Sequence, residues 1–311
     1  MKRILAGLLA ALALSGAAAG PLRDALREHR QVRASSESSG LEDGTDTGSA
    51  GTLPAGSRVL RNLAYGADPA QRLDVYLPAR PQHAPVIFMV HGGAWRTGDK
   101  AMSRVVDNKI AWWLPRGYLF VSVNYRLLPD ADPLVQADDV RRALVFAQQQ
   151  AHDWGADPDA FVLMGHSAGA HLVSLVNAAP ALALAMGAHR WRGAVSLDTA
   201  AMDIVATMTQ HHYRFYDTAF GTDPTFWRQA SPKQQISADA PPMLAICSTR
   251  RPDQPCPATH DFAALASRVG AKVEVSEQAL SHAEINGELG KPGAYTTRVD
   301  AFISRLAAAA P

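Results

Sequence analysis

The run Phe161-Val162-Leu163-Met164 passes without a break into Gly165-His166-Ser167-Ala168-Gly169, and an apolar, alanine-rich stretch, Ala170 to Ala179, follows at once. The first part reads as a buried strand and the last as a helix. The five residues between them must therefore turn the chain sharply, the layout of a nucleophile elbow. Such a turn holds its central residue, Ser167, in a strained conformation with the side chain thrust outward. It also needs small neighbours, because the strand and helix backbones nearly touch. Gly165 and Gly169 supply that room, and Ala168 crowds little. The start of the helix leaves unbonded backbone N–H groups close to Ser167. The pentapeptide alone also occurs in ordinary turns, so the strand before it and the helix after it carry the inference.

A second segment has the same logic. Ala84-Pro85-Val86-Ile87-Phe88-Met89-Val90 reads as another buried strand, and it runs into His91-Gly92-Gly93-Ala94-Trp95. Glycines let a loop backbone approach a ligand closely with its N–H groups free to donate. An acyl-transfer transition state places negative charge on the former carbonyl oxygen. The N–H groups of Gly92, Gly93 and Ala168 are the candidates to hold that oxyanion.

Strand and helix patterns alternate through the rest of the chain. Val86 to Val90, Leu119 to Val123, Phe161 to Met164, Ala194 to Leu197, Met243 to Cys247 and Lys272 to Val275 are short apolar runs suited to a parallel sheet. Leu73 to Leu77 alternates with period two and predicts a half-exposed antiparallel strand near the sheet edge. Helical patterns lie between, at Ser103 to Leu114, Leu134 to Trp154, Ala170 to Ala179, Ala258 to Val269 and Tyr295 to Ala309. The alternation predicts an α/β, mostly parallel, doubly wound sheet with helices on both faces. Thr199 to Ala240 mixes aromatic and polar residues between two strands and is expected to form a small cap or insertion over the site.

On the Gly-His-Ser-Ala-Gly elbow and the His-Gly-Gly-Ala-Trp loop, the chain resembles α/β-hydrolases of the serine-esterase branch that carry a His-Gly-Gly-x-Trp loop. Bacterial feruloyl-esterase-like hydrolases, kynurenine formamidases and hormone-sensitive-lipase-like carboxylesterases are similar. The likeness spans roughly Arg58 to Leu306. It implies hydrolysis of carboxylic esters through an acyl-enzyme, without metal or organic cofactor, on a small-molecule ester. Amide hydrolysis of the arylformamidase type is the alternative activity. A catalytically inactive hydrolase fold serving as a binding module is the alternative of another class.

In this fold the triad follows the order serine, acid, histidine. His282, in Leu280-Ser281-His282-Ala283-Glu284, comes after the last strand pattern and is the expected base. The resemblance places the acid just past the penultimate strand, where Asp253 is the first carboxylate. Relatives often have a Gly-x-x-Asp turn there, whereas this chain has Arg250-Arg251-Pro252-Asp253. Asp198, at the end of the preceding strand, is the alternative acid, a position some lipase-like relatives use. His166 and His171 flank the nucleophile and are expected to pack or line the site. His211-His212 lacks a spaced carboxylate and gives no metal site. Trp95, Trp112, Trp113 and Tyr125 read as core residues, with an aromatic pocket as the alternative. Asp138 and Asp139 open a helix face expected to be solvated or paired with Arg141 or Arg142.

Lys2 and Arg3, the apolar run Ile4 to Leu14, and Ala17-Ala18-Ala19 read as a signal peptide over residues 1–19. The apolar run is too short for a membrane anchor, so export to a periplasm or the medium is expected. Residues 20–57 form a flexible segment rich in Ser, Gly, Thr and acidic residues, and 58–311 the catalytic domain. Two cysteines in an exported chain are expected to pair, Cys247 with Cys256. A buried free Cys247 beside an exposed Cys256 is the alternative. With 47% hydrophobic residues and a formal net charge of +1, the chain has material for a sizeable core and no basic stripe to suggest nucleic acid.

Overall fold

A computed structural model describes residues 52–308. The expected signal peptide and nearly all of the expected flexible segment lie outside the described residues. Eight strands form one sheet: β1 (Arg58–Ala64), β2 (Arg72–Leu77), β3 (Ala84–Val90), β4 (Leu119–Val123), β5 (Ala156–His166), β6 (Gly193–Leu197), β7 (Met243–Ser248) and β8 (Val273–Gln278). Their order is β1-β2-β4-β3-β5-β6-β7-β8. The β1–β2 and β2–β4 pairs are antiparallel and the rest parallel. The order reverses between β3 and β5, and in open α/β sheets ligands bind beyond the strand ends at such a point.

Alternate residues of each strand serve the two faces. Val86, Phe88 and Val90 belong to one apolar core, and Ile87 and Met89 to the other. The helices α1 (Ser103–Trp113) and α2 (Pro133–Gln149) cover opposite faces: Val106 and Ile110 pack with Ile87, whereas Val140 and Leu144 pack with Phe88. The helix α3 (Ala168–Ala178) follows β5 directly and is buried along its whole length. The sequence 133–149 becomes helical where Asp132 accepts from the Leu134 and Val135 N–H groups and Pro133 occupies the first turn. The pattern expected to continue to Trp154 ends there, and His152–Trp154 forms a separate 3₁₀ turn.

Two expectations are corrected. β2 is antiparallel, but it is buried rather than half-exposed, because β1 takes the edge. Its one acidic residue, Asp74, is itself buried; it is neutralised by Lys100 and Arg61, each at 3.2 Å, and accepts from the Asn62 N–H at 2.8 Å. Asp139 is fully buried, not solvated or paired with a neighbour on its helix. Its carboxylate receives a two-pronged Arg126 guanidinium and the Gln71 amide at 2.7 Å. Asp138 does pair with Arg141, at 2.6 Å.

The short helix α4 (Pro180–Ala185) precedes β6, and the segment between β6 and β7 folds into the short helices α5 (Ile204–Thr209), α6 (Arg214–Phe220), α7 (Pro224–Gln229) and α8 (Pro232–Gln235). The remaining helices are α9 (Pro255–Val269), α10 (His282–Gly287) and α11 (Ala294–Ala308). No described helix is long and apolar enough to cross a membrane.

Candidate active site

The register of the central strands brings the site residues together. His166, the last residue of β5, pairs with Leu197, the last of β6. The next residues, Ser167 and Asp198, therefore leave the sheet at adjacent strand tips. Both have positive φ, 55° at Ser167 and 57° at Asp198. Such backbone costs of order 1–3 kcal/mol per residue and persists where the surroundings hold it. The Ser167 N–H donates to Leu197 O at 3.1 Å, and the Asp198 N–H to Ile246 O at 3.0 Å.

The glycines around Ser167 are there for space. A Cβ on Gly165 would stand 2.3 Å from Gly169 O, and one on Gly169 would stand 2.2 Å from Val90 O and 2.4 Å from His91 O. The elbow is thus pressed between its own helix and the end of β3, where the His91-Gly92-Gly93 loop begins. Gly93 adopts φ +116°, and its carbonyl accepts from the Arg96 and Thr97 N–H groups, closing a tight turn. His91 stacks on Tyr125 at 4.6 Å, and the Tyr125 hydroxyl donates to His91 O. Among the described residues, the Gly92, Gly93 and Ala168 N–H groups donate to no protein acceptor.

His282 is the first residue of α10. Ser281 and Glu284 form a reciprocal capping box that fixes the start of this helix. At its far end the buried Lys109 ammonium donates to Asn286 O and Oδ1, tying α10 to α1. Nδ1 of His282 donates to Oδ2 of Asp198 at 2.6 Å. On the elbow side, the His166 ring lies 4.5 Å from the His282 ring, and His166 Nε2 donates to the His282 carbonyl at 3.0 Å.

The carboxylate expected to face the histidine was Asp253, and the structure corrects this. Asp253 is occupied by the fork of Arg251, with Nε and Nη2 at 2.8 and 2.5 Å. Arg251 stands between Asp253 and the imidazole. Asp198 is the carboxylate brought to His282, and it is fully buried. Its Oδ1 accepts from the Ser248 N–H at 2.9 Å, and its Oδ2 accepts from both His282 and Arg251. Arg251 beside it, with the His282 and Ser248 donors, holds this carboxyl far below the usual range despite burial. His282 is lowered below its ordinary value by burial, then by His166 and Arg251, with Asp198 opposing.

The Arg251 loop is closed at its base, where Cys247 on β7 is joined to Cys256 on α9 by a disulfide. Ser248 Oγ also donates to Leu280 O, joining the tip of β7 to the histidine loop.

Behind the elbow, Trp95 is buried in the core. Its indole N–H donates to His171 Nδ1 at 3.2 Å, and His171 Nε2 donates to Ala230 O at 2.7 Å. These bonds require the neutral Nε2–H tautomer, in agreement with a pKa pushed down to about 4 by burial. Tyr216 and Phe220 of α6 pack on the Trp95 ring at 5.7 and 4.9 Å. One buried histidine thus joins the glycine loop, the nucleophile helix and the insertion. Trp113 and Tyr125 are likewise core residues, while Trp112 is partly exposed under the Arg116 guanidinium. His212 pairs with Asp217, and no cluster that could hold a metal occurs among the described residues.

A serine elbow opposite a histidine loop, on an eight-stranded and mostly parallel sheet, defines an α/β-hydrolase. The chain belongs to the BD-FAE family, whose model matches residues 73–263. It is 35% identical over 118 residues to a probable isoprenylcysteine alpha-carbonyl methylesterase of Oryza sativa subsp. japonica, covering 38% of this chain and 28% of that one. It is 30% identical over 208 residues to esterase LipC of Mycobacterium tuberculosis, covering 61% and 50% respectively. The chain thus spans half or less of the length of these relatives. Among solved structures, a truncated carbohydrate esterase from gut microbiota superposes with a TM-score of 0.71 at 18% identity, over 83% of this chain and 100% of that one. Esterase B from Lactobacillus rhamnosis does so with a TM-score of 0.65 at 21% identity, over 92% and 95%. At these identities the likeness speaks to the fold.

Proposed function

We propose that the protein is an exported carboxylic ester hydrolase that works through Ser167, His282 and Asp198. The observation that carries this reading is the 2.6 Å bond from His282 Nδ1 to the buried Asp198 carboxylate, made beside the strand tip that presents Ser167. A serine hydroxyl needs a base to take its proton, and the base needs an acid to fix its tautomer. With Nδ1 held as the N–H, Nε2 is left as the basic nitrogen. Ser167 Oγ attacks the ester carbonyl while His282 takes its proton. Asp198 stabilises the imidazolium, and the Gly92, Gly93 and Ala168 N–H groups hold the oxyanion. The proton passes to the departing alcohol, and water activated by the same histidine cleaves the acyl-enzyme. Relatives named as esterases, carboxylic ester hydrolases and methylesterases support the ester class.

Export rests on the charged and apolar character of residues 1–19 and accords with a disulfide, which persists in oxidising compartments. The test is labelling of the purified protein with a fluorophosphonate, followed by peptide mapping. The expected adduct is on Ser167. Labelling elsewhere, or none in a folded protein that lacks ester turnover, contradicts the reading.

A further inference from the structure

Arg251 has no part in the chemistry set out above, yet it sits at the centre of the site. Its Nη1 donates to Asp198 Oδ2 at 3.0 Å, the oxygen that also accepts from His282. The same nitrogen stands 3.2 Å from His282 Nδ1. Two N–H donors converging on one oxygen cannot bond each other, so Nδ1–H and the guanidinium compete for Asp198. The other edge of Arg251 is forked onto Asp253. The guanidinium is therefore held on both edges, in a loop whose base is closed by the Cys247–Cys256 disulfide.

The elements packed around this cluster bring few other charges. His166 comes from β5, Tyr216 from α6 and Tyr295 from α11, and burial raises both phenols, which therefore stay neutral. Glu284, on the helix of His282, is exposed and paired with Arg250.

We infer that Arg251 is a positioning residue of this site: anchored on Asp253, it grips the Asp198 carboxylate on the oxygen that faces His282, and so orients the pair while opposing a positive charge on the imidazole. The inference rests on the triad reading above. It also gives Asp253 a role, as the anchor of Arg251 and not as the partner of His282. A neutral side chain at 251 returns the whole charge of Asp198 to His282 and removes a cation from beside the ring. Both changes make His282 easier to protonate.

The test is kcat/KM against pH for a short p-nitrophenyl ester with wild type, Arg251→Gln and Arg251→Lys, each checked for folding. In Arg251→Gln the acid-side midpoint is expected to rise by about one pH unit, with kcat on the plateau down about 10- to 100-fold as the pair loosens. Arg251→Lys keeps the charge but cannot fork two carboxylates. Its midpoint should stay nearer to wild type while its kcat falls. An unmoved midpoint in Arg251→Gln, or an equal rise in both variants, overturns the proposal.

Arg251→Gln leaves Asp198 and Asp253 without their shared cation. Should it fail to fold, the double variant Arg251→Gln/Asp253→Asn removes one charge of each sign. It is expected to show the same upward movement, and its absence there is equally contrary. Ser167→Ala separates this inference from the reading beneath it. If Ser167→Ala retains turnover, the triad reading fails. If it is inactive and the midpoint is unmoved, only the role of Arg251 fails.

Discussion

Asp198 Oδ2 accepts a hydrogen bond from His282 Nδ1 at 2.6 Å, although 84 residues separate the two in sequence. The bond joins the tip of β6 to the first residue of α10. Replacing an orienting carboxylate with an amide keeps its shape but offers the histidine the wrong partner, a change that cost about 10⁴ in kcat in a serine protease. Asp198→Asn is therefore expected to lose roughly three to four orders of magnitude in kcat. Asp253→Asn, which touches Arg251 and not His282, should lose far less. Steady-state kinetics on the two folded variants decides the matter, and the reverse order would return the acid to position 253.

That ranking reverses the expectation from sequence, for a definite reason. Past β7, Asp253 is the first carboxylate, and position along the chain favours it. The guanidinium two residues earlier intercepts it, and a linear pattern does not reveal which side chain faces the histidine. The usable signals were Asp198, directly after a buried strand, and the replacement of the Gly-x-x-Asp turn by Arg250-Arg251-Pro252-Asp253. The elbow, the glycine loop and the histidine position were legible because each is a local pattern at a strand end. β1 was missed because its exposed, charged residues break the apolar pattern. The helices of the 199–240 insertion were missed because each runs only four to seven residues.

Activity should fall on acidification, because only neutral His282 accepts the serine proton. Burial, His166 and Arg251 lower its pKa, so the acid-side midpoint of kcat/KM is expected below the ordinary histidine value of ~6.5. A flat profile across about pH 4 to 8, or a midpoint above that value, contradicts a histidine base in this setting.

Stability carries its own pH dependence through His171. Its folded pKa is depressed to about 4, whereas the unfolded value is ~6.5. Between these values the unfolded chain binds the proton and the folded one does not. The contribution is complete above ~6.5 and is lost as pH falls toward 4. His171→Gln keeps a donor for Ala230 and an acceptor for Trp95 without titrating there. Urea unfolding at several pH values should show a shallower acid decline in this variant than in wild type. Parallel declines would remove His171 as a cause.

The Cys247–Cys256 disulfide closes a short loop, with a sequence separation of 9. On the chain-entropy account a loop of this size contributes about 2.5 kcal/mol. Non-reducing mass spectrometry after alkylation should find no free thiol, and Cys256→Ser should lower the unfolding free energy by an amount of that order. Two alkylatable thiols in the native protein would be the contrary result.

The elbow glycines make a steric prediction. Gly169→Ala drives a methyl group into two backbone carbonyls, Val90 O and His91 O, whereas Gly293→Ala meets nothing within 4 Å. Overpacking of this kind costs about 1–3 kcal/mol or more. Gly169→Ala should lose both stability and ester turnover, whereas Gly293→Ala, at the start of α11, should keep its turnover. Wild-type stability in Gly169→Ala would mean that the β3 end and the elbow are not in this contact.

The central claim is that Ser167 is the nucleophile, and ester turnover by Ser167→Ala tests it most directly. Loss of a triad serine is expected to lower kcat by about 10⁶, to a residue left by oxyanion binding alone. The variant should stay folded, because Ala168 and Gly169 still begin the helix. A folded Ser167→Ala protein that keeps most of its kcat on short p-nitrophenyl esters would contradict the account.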